Sequence, residues 1–174
     1  MIGGSQGAQH LNEVVVGAVA LLEHRSDLQV IVLAGPERET VQPPTTARDD
    51  GIRMRAVPFL ERMELAYAVA DLVVARAGAT TLAELAVCGL PSILVPYPHA
   101  TENHQEANAR EFERAGAGVV VLDGALTPRV FADQVSALLD DPDLLDGMAA
   151  RARARGRPDA AERFARLVAE VAGR

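Results

Sequence analysis

Residues 71–98 read "DLVVARAGATTLAELAVCGLPSILVPYP". Two short apolar runs, "DLVVARAG" (71–78) and "SILVPYP" (92–98), enclose a segment of helical period over 80–88. Strand, helix and strand in so short a span make a βαβ unit, whose crossover leaves the two strands parallel in one sheet. Neither run alternates polar with apolar residues. Strands covered by helices on both faces have that composition.

The same alternation extends outward in both directions. Candidate strands recur at "LQVIVLAG" (28–35), "IRMRAVPF" (52–59) and "GVVVLDG" (118–124). Between them lie segments of helical period at 9–23, 61–70 and 104–115, and in the first of these Leu11, Val14, Val15, Ala18, Val19 and Leu22 share one face. This pattern predicts an α/β fold, a Rossmann-like parallel sheet with right-handed crossovers and helices on both faces. From 127 onward the chain reads as three helices punctuated by Pro128, Pro142 and Pro158. One domain over 1–174 is expected, with 127–174 as its helical C-terminal segment. "QPPTTARDDG" (42–51) is the expected mobile loop.

Composition excludes several function classes. With 174 residues, 49% of them apolar, the chain can bury a sizeable core. The formal charge is −7, and only 3% of residues are aromatic, so a nucleic-acid surface built from basic stripes and stacking rings is not expected. All 17 basic residues are arginine and they cluster only in "RARARGR" (151–157), which reads as a solvated helix face. The single Cys88 leaves no intramolecular disulfide and fits a reducing compartment. Apolar runs are strand-sized, so a cytoplasmic location is expected unless a partner supplies a membrane surface.

Open parallel sheets bind ligands beyond the carboxyl ends of their strands. Three motifs fall at such ends. In "GGSQGA" (3–8), Gly3 and Gly4 permit a tight turn and close backbone approach, and Ser5 can either donate to an anion or cap the following helix. The pattern is not the dinucleotide G-x-G-x-x-G, and Glu37 arrives only after a proline, so a nicotinamide cofactor is not expected. In "RAGATTLAE" (76–84), Thr80 and Thr81 offer hydroxyls and amides. Glu84 has two readings: it can close a capping box on Thr81, or take both hydroxyls of a ribose. In "YPHATENHQEANA" (97–109), Gln105 and Asn108 lie three apart on one helix face, where they can donate and accept together; a solvated helix start is the alternative. His99 and His104 lack a third partner, so no metal site is expected. "DDPD" (140–143) sits between helices, where Asp141 or Asp143 reads as a cap.

Taken in order, "GGSQGA", "PFLERM", "RAGATTLAEL..GLPSILVPYPHA" and "HQEANA" closely resemble the carboxyl-terminal domain of the MurG family, over essentially the whole chain. That family transfers N-acetylglucosamine (GlcNAc) from UDP-GlcNAc to lipid I, making lipid II for peptidoglycan at the cytoplasmic face of the cell membrane. The resemblance implies one half of a GT-B fold. It further implies that Ser5 contacts the diphosphate, Leu60 the uracil through its backbone, and Ala79, Thr80, Thr81, Leu82 and Ala83 the phosphates and ribose. Glu84 would hold the ribose hydroxyls; Gln105, with Asn108 beside it, would read the sugar. No cofactor or metal is implied, and the leaving UDP would be stabilised by amides and a helix N-terminus.

The family's amino-terminal domain, with the acceptor site, the membrane contact and the proposed base, has no counterpart in these residues. The strand expected ahead of "GGSQGA" is cut to Ile2. A donor-binding half beginning at Met1 is therefore expected, with no catalytic residue of its own and no activity alone. Two other readings remain open at this point: the donor-binding subunit of a split two-subunit UDP-GlcNAc transferase, and a UDP-sugar-binding module without catalysis. A UDP-GlcNAc 2-epimerase would share the architecture, but no acid and base set for it is present.

Overall fold

The computed structural model describes residues 9–35 and 51–173. Ser5 and its glycine-rich loop, Glu37 and residues 42–50 lie outside the described residues. In chain order the described elements are α1 (Gln9–Leu21), β1 (Gln29–Leu33), β2 (Arg53–Val57), α2 (Met63–Val69), β3 (Val73–Ala75), α3 (Ala79–Cys88) and β4 (Ser92–Leu94). They continue with α4 (His104–Arg114), β5 (Gly118–Val120), α5 (Pro128–Leu139), α6 (Pro142–Arg155) and α7 (Ala160–Val171). Short 3₁₀ turns occupy Thr101–Asn103 and Asp123–Ala125.

Every strand pairing among the described residues is parallel, as the βαβ pattern requires. Two hydrogen-bonded groups form: β1 pairs with β2, with Gln29 opposite Arg53, and separately β3, β4 and β5 pair in that order, with Val73 opposite Ser92 and Ser92 opposite Gly118. A cavity of about 410 Å³ lies between β1 and β3, bordered by Ile31, Leu33, Leu72 and Val74 and by Phe131 and Val135 of α5. The strand expected before "GGSQGA" falls outside the described residues.

Strand periodicity divides the core into two layers. Val74 and Ile93 join Val15 and Val19 of α1 and Phe131 and Val135 of α5 in one buried cluster. Their neighbours Val73, Ala75 and Leu94 project to the opposite face and pack with Leu82 and Leu85 of α3 and Ala109 and Phe112 of α4. Helices thus cover both faces, which is why the strands carry no polar alternation.

The turns follow from local chemistry. Gly89 ends α3 at φ 68°, and its amide donates to the carbonyl oxygens of Leu85 and Ala86; glycine adopts this left-handed cap without the clash a side chain would suffer. Thr127 accepts from the Val130 amide at 3.2 Å and Asp141 from the Leu144 amide at 3.0 Å, so each caps a helix whose first residue is a proline. The acidic run at 140–143 is therefore a helix start. In 151–157 the four arginines are exposed while Ala152 is fully buried. α7 has no buried residue, and Phe164 and Val171 are 69% and 81% exposed.

Candidate functional site

Beyond the carboxyl ends of β3, β4 and β5, three chain segments meet. α4 fastens two of them. Gln105 Oε1 accepts the amide N–H of Ala77, at 3.2 Å, and of Tyr97, at 3.0 Å. Asn108 Nδ2 donates to the Ala77 carbonyl at 3.3 Å. The two side chains share a helix face, as their spacing requires, and they close on the same residue of the β3 end. Both partners of Gln105 are donors, so the oxygen must face them, and Nε2 points its two donors elsewhere. Gln105→Ala would strip an acceptor from two backbone amides and is expected to cost about 1–3 kcal/mol of stability. Thermal unfolding measures it; an unchanged midpoint would mean that both amides find other acceptors.

The start of α3 is open. Gly78 occupies the cap position with no side chain to offer, and the Leu82 amide makes the first intrahelical bond, to the Gly78 carbonyl at 3.0 Å. The preceding amides, those of Ala79, Thr80 and Thr81, carry the positive end of the helix dipole. Ala79, Thr80 and Ala83 are exposed and Thr81 is half-buried; the Leu82 side chain is in the core at 8% exposure. The capping box on Thr81 does not form, because the helix begins at Ala79 and Thr81 is already inside it. Instead Glu84 Oε2 accepts the Tyr67 hydroxyl of α2 at 2.7 Å.

Tyr67 was not singled out by the sequence motifs; its only signal is a phenol within the short apolar helix "MELAYAV". Burial pushes its pKa well above the ordinary phenol value, and the Glu84 carboxylate adds to this, so the hydroxyl stays a donor. The Cys88 thiol is also pushed up, by burial and then by the Glu84 charge, with Arg153 opposing.

An ion pair between buried Arg76 and half-buried Asp123 braces the site. Arg76, 8% exposed, donates through Nη1 to the carbonyls of Val95 and Pro96, at 3.2 and 3.3 Å, and to Asp123 Oδ1. Its guanidinium lies 5.6 Å from the Tyr97 ring centroid. Asp123 Oδ2 in turn meets His10 Nδ1 at 3.1 Å. One cation therefore ties the ends of β3 and β4 to the turn after β5, and the carboxylate reaches α1. In the sequence Arg76 stands apart from the other arginines. Arg76 is nonetheless the one charged residue among the buried ones described.

The remaining positions are peripheral to this cluster. Leu60 is half-buried in the segment between β2 and α2, next to Phe59, which is 76% exposed. His99 meets the Tyr97 ring edge-on, and His104 Nδ1 lies 2.7 Å from the Thr101 carbonyl. Among the described residues no group of three or more His, Cys, Asp or Glu could hold a metal ion. No described helix is long and apolar enough to cross a membrane.

Comparison with known proteins gives a consistent result. The family described as "Glycosyltransferase family 28 C-terminal domain" matches residues 1–164. A UDP-N-acetylglucosamine–N-acetylmuramyl-(pentapeptide) pyrophosphoryl-undecaprenol N-acetylglucosamine transferase of Mycolicibacterium vanbaalenii is 44% identical over 100% of this chain and 42% of its own length. The protein of the same name from Sorangium cellulosum is 45% identical over 99% of this chain and 43% of its own. The crystal structure of Acinetobacter baumannii MurG superposes with a TM-score of 0.84 at 33% identity, covering 97% of this chain and 49% of that one. The chain spans less than half the length of these relatives. By sequence and by fold, it belongs to the glycosyltransferase family 28 C-terminal domain, as the MurG resemblance implied.

Proposed function

We propose that the chain binds UDP-GlcNAc and forms the donor-binding part of an inverting N-acetylglucosaminyltransferase that makes lipid II from lipid I. The observation that carries this reading is the uncapped start of α3 beside the fastened amide of Gln105. Free amides at a helix N-terminus suit a diphosphate, and the unengaged Nε2 of Gln105 suits sugar hydroxyls. The names of the relatives support the donor and the reaction.

On this reading Ala79, Thr80 and Thr81 present amides and hydroxyls to the phosphates, with Leu82 and Ala83 continuing that turn and Ser5 completing the anion site. Leu60 meets the uracil through its backbone and Glu84 holds the ribose. As the bond from the anomeric carbon to the diphosphate oxygen breaks, negative charge grows on UDP, and the fixed amides and dipole of α3 stabilise it where it develops. The acceptor, its base and the membrane contact belong to an amino-terminal partner domain at the cytoplasmic membrane face.

Calorimetry with UDP tests the assignment. Glu84→Ala is expected to weaken UDP binding by about 1.5–3 kcal/mol, the worth of hydrogen bonds to a charged group. With 2′,3′-dideoxy-UDP the same substitution should cost little; an equal loss with both ligands would sink the ribose role. Gln105→Ala should lower affinity for UDP-GlcNAc more than for UDP, and an equal loss would remove Gln105 from the sugar.

A further inference from the structure

We infer that Tyr67 is a positioning residue for nucleotide binding: its hydroxyl holds the Glu84 carboxylate in place to receive a ribose, and links that carboxylate to the chain segment carrying Leu60. This rests on the proposed contact of Glu84 with ribose and deepens it.

Glu84 is an exposed helix residue, and an untethered glutamate has three side-chain torsions to fix before it can grip two hydroxyls. Tyr67 removes that freedom in advance. Tyr67 is 7% exposed and packs in the cluster that holds Leu82 and Leu85 on the same helix as Glu84, so the phenol oxygen has little room to move. The 2.7 Å hydrogen bond engages Oε2 only. Oε1 and the second lone pair of Oε2 remain for two ribose hydroxyls, since a carboxylate oxygen accepts more than one donor. The phenol serves as donor because burial and the adjacent carboxylate oppose its ionisation.

The second link runs along the chain. Tyr67 sits on α2, which begins at Met63 directly after the segment containing Phe59 and Leu60. Base contact and ribose contact are therefore joined through one helix and one hydrogen bond. Preorganisation of this kind raises affinity by lowering the ordering cost of binding.

Tyr67→Phe keeps the ring and its packing and deletes only the donor. Calorimetry is expected to show UDP affinity reduced about three- to tenfold. Affinity for 2′,3′-dideoxy-UDP should be unchanged, and Tyr67→Phe should add nothing in a Glu84→Ala background. If Tyr67→Phe weakens both ligands equally, leaves UDP affinity untouched, or still costs affinity once Glu84 is gone, the positioning role is overturned. Glu84→Ala alone separates the two levels. A selective loss with UDP keeps the ribose contact while Tyr67 is judged by its own variant, whereas no selectivity removes the ribose contact and this inference with it.

Discussion

Asp123→Ala is expected to cost about 3–5 kcal/mol of folding stability, because it leaves a buried cation without its counter-ion. Arg76 is only 8% exposed, its Nε already has no hydrogen-bond partner, and the carbonyls of Val95 and Pro96 are neutral acceptors. The substitution also releases His10, so α1 loses its tie to the turn after β5. For a chain of this size each kcal/mol moves the thermal midpoint by roughly 2–4 °C, so a fall on the order of 10 °C is expected. Removing both charges, as Arg76→Met with Asp123→Leu, should recover most of the loss, since buried pairs often exchange for apolar residues without penalty. Denaturant unfolding of the three proteins checks this. A single variant losing under about 1 kcal/mol would show that water or another group reaches Arg76.

Phe112→Ala is expected to be similarly damaging, at about 3–5 kcal/mol, through lost burial and the cavity left behind. Phe112 is 3% exposed on the inner face of α4. Its ring lies against β5 where Gly118 leaves room: a Cβ there would stand 3.2 Å from the ring and 2.9 Å from the Ser92 hydroxyl. The effect should not stop at stability. Gln105 and Asn108 lie one to two turns earlier on α4, and they hold Ala77 only while the helix keeps its seat. UDP-GlcNAc affinity is therefore expected to fall with the denaturation midpoint, well below melting. Unchanged affinity in a destabilised variant would show that the first turns of α4 are held independently of Phe112.

Hydrophobic period carried most of the fold. The runs at 28–35, 52–59, 71–78, 92–98 and 118–124 all contain strands, and the helical segments at 9–23, 61–70, 80–88 and 104–115 all contain helices. The strands proved shorter than the apolar runs. In 71–78 pairing stops at Ala75, because the residues beyond it turn their polar groups to Val95, Pro96, Gln105 and Asn108.

The candidate site was legible only where its geometry is local. Spacing alone puts Gln105 and Asn108 on one face, but not against Ala77, which precedes Gln105 by 28 residues. Thr81 and Glu84 match a capping box in letters. The match misleads because the helix already starts at Ala79, with Gly78 in the cap position, so Thr81 lies inside it. Arg76 and Asp123 are separated by 47 residues, and no periodicity joins a pair held together by burial. Tyr67 is invisible for the same reason, since an isolated phenol in an apolar helix carries no pattern.

The structural role of Gln105, set beside the sugar contact proposed for it, bears on how such a domain could change its donor over evolutionary time. A side chain that only read the sugar could mutate freely, each variant sampling a new hexose at little cost. Here Oε1 of the same side chain closes two strand-end loops, so a substitution made to retune the sugar contact proposed for Nε2 would also loosen the scaffold. Position 105 is thus constrained by architecture whatever it contacts in the donor. The neighbouring pair Glu102 and Asn103 holds left-handed backbone, at φ 52° and 53°, and both side chains are exposed. Glycine is tolerated there on conformational grounds, and polar replacements meet no core. At those two positions the left-handed backbone itself is the filter, admitting glycine and asparagine readily and β-branched side chains only under strain.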